Sequence, residues 1–361
     1  MEVNKQSQKA GDGAQQFQAG TIIFNQGTTE ERVRDIFTEM IPQAIEAYTK
    51  EAYETATRRI EKLEQNVIPR ISAIDGALES FADPSFQKVL RKAQQSAAAT
   101  EREDDYALLS ELLICHIEKG EQRKNRAGIS KAIEIIDEVD NDALCALTLA
   151  HAVGTYFPGP GNIQIGLKAL DNLFAKLWYM EPPTGRDWIE HLDVLRAVRM
   201  GQAVRLKSIR EIYTQKLNGY SCIGIKADSE EYQKAVAILS EKHVNPTILV
   251  PNVLLDGYVR LPVVKKEGID DIVIKNGNTT RKMTKEEKEA VEKVWDMYTV
   301  DNTLQKTVDD KFMEIFDSFE TLKKLHIWWD SIPEVFGITQ IGTILAYTNA
   351  KRCEENLPDL V

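Results

Sequence analysis

Apolar residues recur at three- and four-residue steps through most of the chain, and this is the period of an amphipathic helix. The first such stripe predicts one long helix over residues 28–65. Thr28 followed by Glu31 predicts a capping box at the start of that helix. Pro42 predicts a kink or a break a few residues before it. Similar runs predict further helices over 66–217, so we expect a nearly all-α body there.

The N-terminal segment, residues 1–27, has a different pattern, in which strand-forming residues alternate between two apolar faces. These residues are Phe17, Ala19 and Ile23 on one face and Ile22 and Phe24 on the other. Such a strand needs cover on both faces and a partner strand, yet no second strand is predicted nearby. We therefore expect it to pair with another copy of the chain and to build a homo-oligomer. The alternatives are an edge strand on a small sheet near 220–275 and a disordered tail.

The composition changes over residues 218–281, where short strand-like runs replace the helical stripes. The pattern predicts a strand at 220–226, a helix capped by Asp228 and a second strand at 247–250, which together fit a minimal βαβ unit. A third strand and a hairpin arm are expected further along, before the turn at Asn276-Gly277. We expect this part to form a small mixed α/β insert.

The remaining residues, 282–361, are expected to form C-terminal helices that pack on the body. Thr284 with Glu287 predicts a second capping box, and apolar spacing predicts one helix over 308–329. The predicted fold class is therefore mainly α: a helical body with a small α+β insert and an N-terminal oligomerising β-strand.

The last predicted helix carries a face of small residues. Thr339 is expected to cap this helix, and Gly342, Ala346 and Ala350 follow at four-residue steps. Small side chains allow another helix to approach the backbone closely, so we expect close helix packing here, against the 308–329 helix.

Charge and cysteine content narrow the choice of partners and compartment. The net charge of −11 argues against a nucleic-acid backbone as a general partner. Four cysteines that lie far apart, without a CxxC pair, are typical of a reduced, cytoplasmic protein. The apolar stretch 143–157 would span roughly 22 Å as a helix, against about 30 Å for a bilayer core, so no membrane insertion is expected. Membrane action through this stretch after a conformational change is the function ranked last.

The usual catalytic motifs are missing from the sequence, and we expect no cofactor and no metal. The nearest hydrolase signal is Ser221, with His243 as its base. A nucleophile elbow requires glycine two residues after the serine, however, and Ile223 stands there. Cys222 is interpreted as a small buried hydrophobe rather than a thiol nucleophile. Catalytic residues, if the chain has any, therefore stay unknown at this point.

Three other groups are interpreted as structural. His116, beside a cysteine on an apolar helix, has no second ligand at metal-binding spacing and is interpreted as a core histidine. Acidic clusters at 137–142 and 309–310 lack the spacing of a calcium loop and are interpreted as solvated helix ends. The aromatic residues 328–329 with Tyr347 would be able to line a pocket, but aromatic residues at helical spacing usually belong to a core.

Two runs near the ends of the chain resemble an uncharacterised family of bacterial proteins of similar length. They are QFQAGTIIFNQGTTEERVRDIF and ITQIGTILAYTNAKR. In the closing run the matching positions are Gly342, Ala346, Asn349, Lys351 and Arg352. The resemblance implies no established activity. Similar Gln/Gly-rich strands precede bacterial conflict and defence modules, and this analogy suggests a component of a defence system.

Two functions are weighed against each other. The leading hypothesis is a non-enzymatic homo-oligomeric assembly or interaction protein of an anti-phage defence system, with other copies of the chain, and a further protein, as its partners. The alternative is an intracellular enzyme of unknown reaction, with a cleft between the helical body and the 218–281 sheet. A deep polar pocket at that place, with a strongly perturbed titratable group, would favour the enzyme.

Overall fold

The computed structural model describes residues 28–46, 48–120, 122–201, 205–276 and 279–358. Over these residues the mainly α fold class is confirmed. The helices are α1 (Glu30–Ala44), α2 (Lys50–Ser72), α3 (Pro84–Ala99), α4 (Glu103–Lys119), α5 (Arg123–Glu134), α6 (Asn141–Thr155), α7 (Ile163–Leu177), α8 (Asp187–Val194), α9 (Ile209–Lys216), α10 (Glu230–Glu241), α11 (Lys285–Trp295), α12 (Asn302–Asp317), α13 (Glu320–Asp330) and α14 (Gln340–Cys353). The strands are β1 (Val198–Met200), β2 (Ile225–Lys226), β3 (Val250–Pro251), β4 (Tyr258–Arg260), β5 (Val273–Asn276), β6 (Thr279–Lys282) and β7 (Phe336–Ile338). The predicted oligomerising strand lies in residues 1–27, outside the described residues.

The helical body is built around one large hydrophobic core that reaches from Val33 in α1 to Leu357 beyond α14. Helices α1 to α5 pack against one another, and the last helix returns to pack on α4, α5 and α6. Leu109 of α4 and Leu345 of α14 are both fully buried in this core. The C-terminal helix is therefore a central element of the body.

A smaller lobe has a core of its own, drawn from residues between Ile225 and Tyr298. Its three-stranded sheet has the order β2-β4-β3, and β4 is antiparallel to both neighbours. Helix α10 packs on β2 and on α11. Because Val291 and Val294 of α11 belong to the small core, the lobe uses residues beyond the predicted insert.

The first predicted helix is two helices in the structure. Thr29, one residue later than expected, caps α1 by accepting a hydrogen bond from the Arg32 amide, 3.2 Å from its Oγ1. Pro42 lies inside α1, and the break comes after it, because Thr49 caps a new helix that continues to Ser72. The break was predicted, but its place was wrong.

The helix of the expected strand–helix–strand unit is present, but its strands are shorter than predicted and differently paired: β2 begins only at Ile225, and Pro246–Ile248 form a 3-10 helix before β3. The strands β2 and β3 flank β4 and do not pair with each other. Asp228 has a left-handed backbone, with φ of 62°, and Ser229 caps α10 in its place. The hairpin arm predicted before residue 277 is confirmed as β5 paired with β6.

The small-residue face of α14 packs on a different partner from the one expected. The predicted 308–329 helix is two helices, α12 and α13, and α14 packs mainly on α4, α5 and α6. The antiparallel pair β1–β7 brings Ala197 to the start of α14. A Cβ on Gly342 would lie 2.0 Å from the Ala197 carbonyl oxygen, so only glycine fits this approach, while Ala346 and Ala350 are fully buried.

The apolar stretch 143–157 lies largely in α6, which is 15 residues long and buried over most of its length. Asp140 precedes it as the N-cap residue. Within the described chain, no helix is both long and apolar enough to cross a bilayer.

Candidate functional site

The small lobe meets the helical body at the loop 158–161, which joins α6 to α7. A Cβ on Gly161 would lie 1.7 Å from the carbonyl oxygen of Pro262, so the two backbones are in direct contact. Gly219 is equally close, since its Cβ would lie 2.2 Å from the Val263 carbonyl oxygen. Gly219 is not among the described glycines with positive φ. Close approach of two chain segments is the reason for glycine there.

Arg260 is the centre of this junction. Its side chain is buried, with 3% of the residue exposed. The guanidinium donates to main-chain carbonyl oxygens of Gly219 (3.0 Å), Leu261 (2.9 Å), Val263 (3.3 Å) and Gly161 (2.8 Å). In the described part of the chain, no carboxylate lies within ion-pair distance of the guanidinium. The dipoles of these carbonyl groups therefore stabilise its buried positive charge.

Tyr220 closes the junction from the body side. It is fully buried, and its hydroxyl donates to the carbonyl oxygen of Pro160. The centre of the Arg260 guanidinium lies 5.7 Å from the Tyr220 ring centroid, within the range of a cation–π contact. Burial raises the pKa of this phenol well above its usual range, which keeps the hydroxyl a donor.

A cleft of about 430 Å³ opens beside this junction, between α9, the 218–223 segment and the start of α12; we call it the seam cleft. Its polar lining includes Thr214, Asn218, Ser221, Cys222, Tyr298 and Asp309. The enzyme hypothesis placed its pocket here, between the body and the sheet. The volume lies in the range of small-molecule sites.

The side chains of Ser221 and Cys222 form hydrogen bonds with the main chain of the protein. The Ser221 hydroxyl donates to the Thr214 carbonyl oxygen at 2.8 Å, and the Cys222 thiol donates to the Gly219 carbonyl oxygen at 3.2 Å. Burial raises the pKa of Cys222 to about 11, so the thiol stays protonated near neutral pH. His243 lies exposed beyond the end of α10, and the base of the signal is not brought to the serine. The geometry therefore offers no activated nucleophile at Ser221 or Cys222.

Asp309 is the carboxyl group in the lining of the seam cleft, and it could bind a ligand or transfer a proton. Its Oδ1 accepts from Nε2 of Gln305 at 2.8 Å, and the same amide donates to the Ser221 carbonyl oxygen at 2.6 Å. Burial raises the pKa of this carboxyl above its usual value. A carboxyl group held in this way accepts hydrogen bonds when ionised and donates one when protonated. Sequence reasoning had placed Asp309 in a solvated acidic cluster.

Other predicted residues are dispersed through the fold. Trp328 and Trp329 are buried in the core, while Tyr347 lies on α14 with its ring 5.3 Å from the Lys119 ammonium, so these aromatics do not share a pocket. Among the described residues, no cluster of three or more His, Cys, Asp or Glu side chains is arranged to hold a metal ion.

A further cleft of about 350 Å³ lies between α2, α4 and α14. Arg70 and Glu111 on its wall form an ion pair with each other. Because these charged groups are already paired with each other, they are less available to bind a ligand than the polar groups of the seam cleft.

Arg260 is the residue that sequence reasoning missed. In the sequence it stands in a short run between a glycine turn and a proline, with nothing to distinguish it from a surface arginine. Its role depends on carbonyl groups from residues 161 and 219, which only the tertiary fold brings together.

Comparisons with known proteins give one match. No curated protein and no solved structure shows a significant similarity to the chain. A protein-family model described as ":-like" matches residues 27–358, a span that takes in the closing helix and the second half of the first resembling run. Because this match covers well over half of its length, the chain belongs to that ":-like" family.

Proposed function

We propose that this protein is a non-enzymatic assembly protein whose residues 1–27 join copies of the chain into a homo-oligomer. The proposal rests on one observation: an apolar, strand-forming run, residues 17–25, has no partner strand near it in the sequence. Copies of the chain are then its main partner, and a further protein would dock on the assembly. By analogy with other Gln/Gly-rich strands, the assembly works in cytoplasmic anti-phage defence.

The fold supports pairing between copies over pairing within one chain. Helix α1 packs on α2, α3 and the short 3-10 turn at Ala77–Ala82, so the chain enters the body among helices. The edge strands of the three-stranded sheet, β2 and β3, are two residues long each. An edge of that length offers a nine-residue strand few hydrogen bonds, whereas an identical strand from another copy matches its full length.

The test is the particle mass measured by light scattering after size-exclusion chromatography. The chain lacking residues 1–27, and the double variant Ile22→Asp with Ile23→Asp, are expected to have a lower mass than the intact chain, because charge on both faces prevents strand stacking. Ser7→Asp, which adds charge in the polar part of the same segment, is the matched control. An intact chain that is already a monomer, or a deletion that leaves the mass unchanged, would refute the proposal.

The seam cleft supports a second candidate, an intracellular enzyme or small-molecule binder of unknown reaction. It is favoured by the Asp309 carboxyl, whose pKa is raised by burial inside a polar cleft. The test is to add each of a panel of polar metabolites to the protein and to measure the shift in its melting temperature. Binding that is lost in Asp309→Asn and kept in Asp301→Asn, which replaces the exposed cap of α12, would support it. A panel without any binder, or equal shifts in both variants, would remove this candidate.

A further inference from the structure

An apolar groove lies on the surface where the small lobe meets the helical body, and it shares no described lining residue with the seam cleft. Its volume is about 380 Å³, within the range of small-molecule sites. The apolar residues that line it include Phe157, Pro158, Pro262, Val264, Ile272 and Val273. Val273 is 52% exposed, so part of this apolar surface is open to solvent. We call it the lobe groove.

Polar groups that would recognise a sugar or a heterocyclic base are missing from the described lining of the lobe groove. This lining contains no side-chain hydroxyl, amide or imidazole, and its polar side chains are those of Lys265 and Asp271. Sites for polar ligands carry several such groups, which fix the orientation of the ligand. The lobe groove therefore favours a ligand with an aliphatic body and a charge at one end.

Lysine side chains supply positive charge beside the groove. The Nζ atom of Lys216, at the end of α9, lies 4.6 Å from the ring centroid of Phe157 and donates to the Gly154 carbonyl oxygen at 2.7 Å. An ammonium group donates three hydrogen bonds, so Lys216 retains two beyond this contact. Lys265 lines the groove itself. Both lysines are exposed, and their ammonium groups are therefore accessible to a ligand.

The protein does not neutralise these charges with carboxylates of its own. Among the described residues, no carboxylate lies within ion-pair distance of Lys207, Lys216 or Lys265. Loss of hydration lowers the pKa of Lys216, and the positive charges of Lys265 and Lys207 lower it further. The chain as a whole carries a net charge of −11, so this cluster of cations is a local exception. A bound anion offsets the repulsion between the ammonium groups.

We propose that the lobe groove binds a small amphiphilic anion of the fatty-acid class. The aliphatic chain of the ligand lies on the apolar lining, and its carboxylate lies between the ammonium groups of Lys216 and Lys265. A headgroup with one negative charge fits better than a dianion such as a phosphate monoester, because Asp271 also lines the groove and repels a dianion more strongly. This site is independent of residues 1–27 and of the seam cleft.

Isothermal titration of the full-length chain tests both halves of the ligand. The probes are hexanoate, octanoate and decanoate below their critical micelle concentrations, with acetate as the headgroup alone and decyltrimethylammonium as the cation. Affinity is expected to rise with chain length, by up to about tenfold for each two methylene groups, because each buried methylene removes apolar surface from water. Acetate and decyltrimethylammonium are expected to bind at least about tenfold more weakly than decanoate.

Variants test the residues on each side of the ligand. Decanoate is expected to bind about tenfold more weakly to the double variant Lys216→Gln with Lys265→Gln, which removes two charge-assisted contacts. Val273→Asp, which places a negative charge in the apolar lining, is expected to weaken binding to a similar extent. The matched controls lie outside the groove: Lys88→Gln replaces an exposed lysine on α3, and Val253→Asp replaces an exposed valine.

Both controls are expected to bind decanoate as the intact chain does, and circular dichroism of each variant without ligand shows whether it is folded. The series of probes on the intact chain does not depend on any variant. Absence of decanoate binding, an affinity that does not change with chain length, equal binding of decanoate and decyltrimethylammonium, or unchanged binding in a folded double lysine variant would overturn the proposal.

Discussion

Nη2 of Arg260 lies 2.8 Å from the carbonyl oxygen of Gly161, and this hydrogen bond ties the small lobe to the helical body. The two residues are 99 positions apart in the chain. The arginine is buried, and the glycine stands where any Cβ would collide with Pro262. The contact between lobe and body therefore depends on a buried cation and on glycines, Gly161 and Gly219, that leave room for the opposite backbone.

Replacing Arg260 by methionine is expected to lower the free energy of unfolding by about 2 kcal/mol. The variant leaves carbonyl acceptors without their donor, although it also removes the cost of burying a charge. Urea unfolding followed by circular dichroism measures the change. Arg199→Met is the control, because Arg199 is exposed on β1 and should change stability by less than about 0.5 kcal/mol. Equal stabilities for the two variants would contradict the role given to Arg260.

Gly161→Ala is expected to destabilise the protein by about 1–3 kcal/mol, because the added Cβ would overlap the Pro262 carbonyl oxygen. Gly159→Ala in the same loop is the matched control, since nothing lies within 4 Å of its Cβ position. Melting temperatures of the two variants measure the difference. If both alanines were tolerated alike, the close approach of lobe and body would be wrong.

Asn349→Ala is expected to lower the free energy of unfolding by about 2–3 kcal/mol. Asn349 is fully buried on α14, and its Nδ2 donates to Oγ1 of Thr148 (2.8 Å) and to the Tyr179 hydroxyl oxygen (3.2 Å). Its Oδ1 accepts from Nε of Arg352 at 3.0 Å. The exposed Asn356, replaced by alanine, is the control in the same urea titration. An Asn349→Ala chain as stable as this control would show that the buried contacts do not fasten α14.

The stability of the protein is expected to fall between pH 6.5 and pH 4 through His151. Burial lowers the pKa of this imidazole to about 4, whereas it protonates near 6.5 in the unfolded chain. Between pH 6.5 and pH 4 the imidazole is therefore protonated in the unfolded state and neutral in the folded state. The stability present above pH 6.5 is lost as the pH falls towards 4. Over that range the contribution is about 3 kcal/mol, since each pKa unit corresponds to about 1.4 kcal/mol.

The measurement for His151 is the free energy of unfolding at pH 7 and at pH 4.5 for the intact chain and for His151→Leu. The pH dependence is expected to be smaller in the variant. The exposed His243, replaced by asparagine because its φ is 59°, is the control variant in the same measurement. A His151→Leu chain with the full pH dependence would mean that another group causes the loss of stability at acid pH.

Local features of the fold were readable from the sequence because their partners lie within four residues. Thr284 and Glu287 form the predicted capping box, and Thr339 caps α14 as expected. The amphipathic periods placed most of the helices for the same reason, although the choice between Thr28 and Thr29, and between one helix and two at 308–329, was wrong. The local free energies of the two alternatives differ little in each case, so contacts with the rest of the fold decide between them.

The candidate sites were less predictable because their parts come from distant segments. The sequence offered Ser221 with His243 only as the nearest hydrolase signal, and in the fold the Ser221 hydroxyl is bonded to the Thr214 carbonyl oxygen instead. Asp309 was interpreted as part of a solvated acidic cluster. The general position of a cleft beside the insert was expected, and a cleft lies there. Its chemistry depends on which side chains are buried, and burial is a property of the whole fold.

By itself, the sequence determined the mainly α character of this protein, because helical periodicity and capping are encoded over a few residues. Only the tertiary structure decided that α14 is central and that the Arg260 guanidinium is surrounded by main-chain carbonyl groups. Each of these depends on contacts between residues far apart in the chain, where the free energy of packing and desolvation selects the partners.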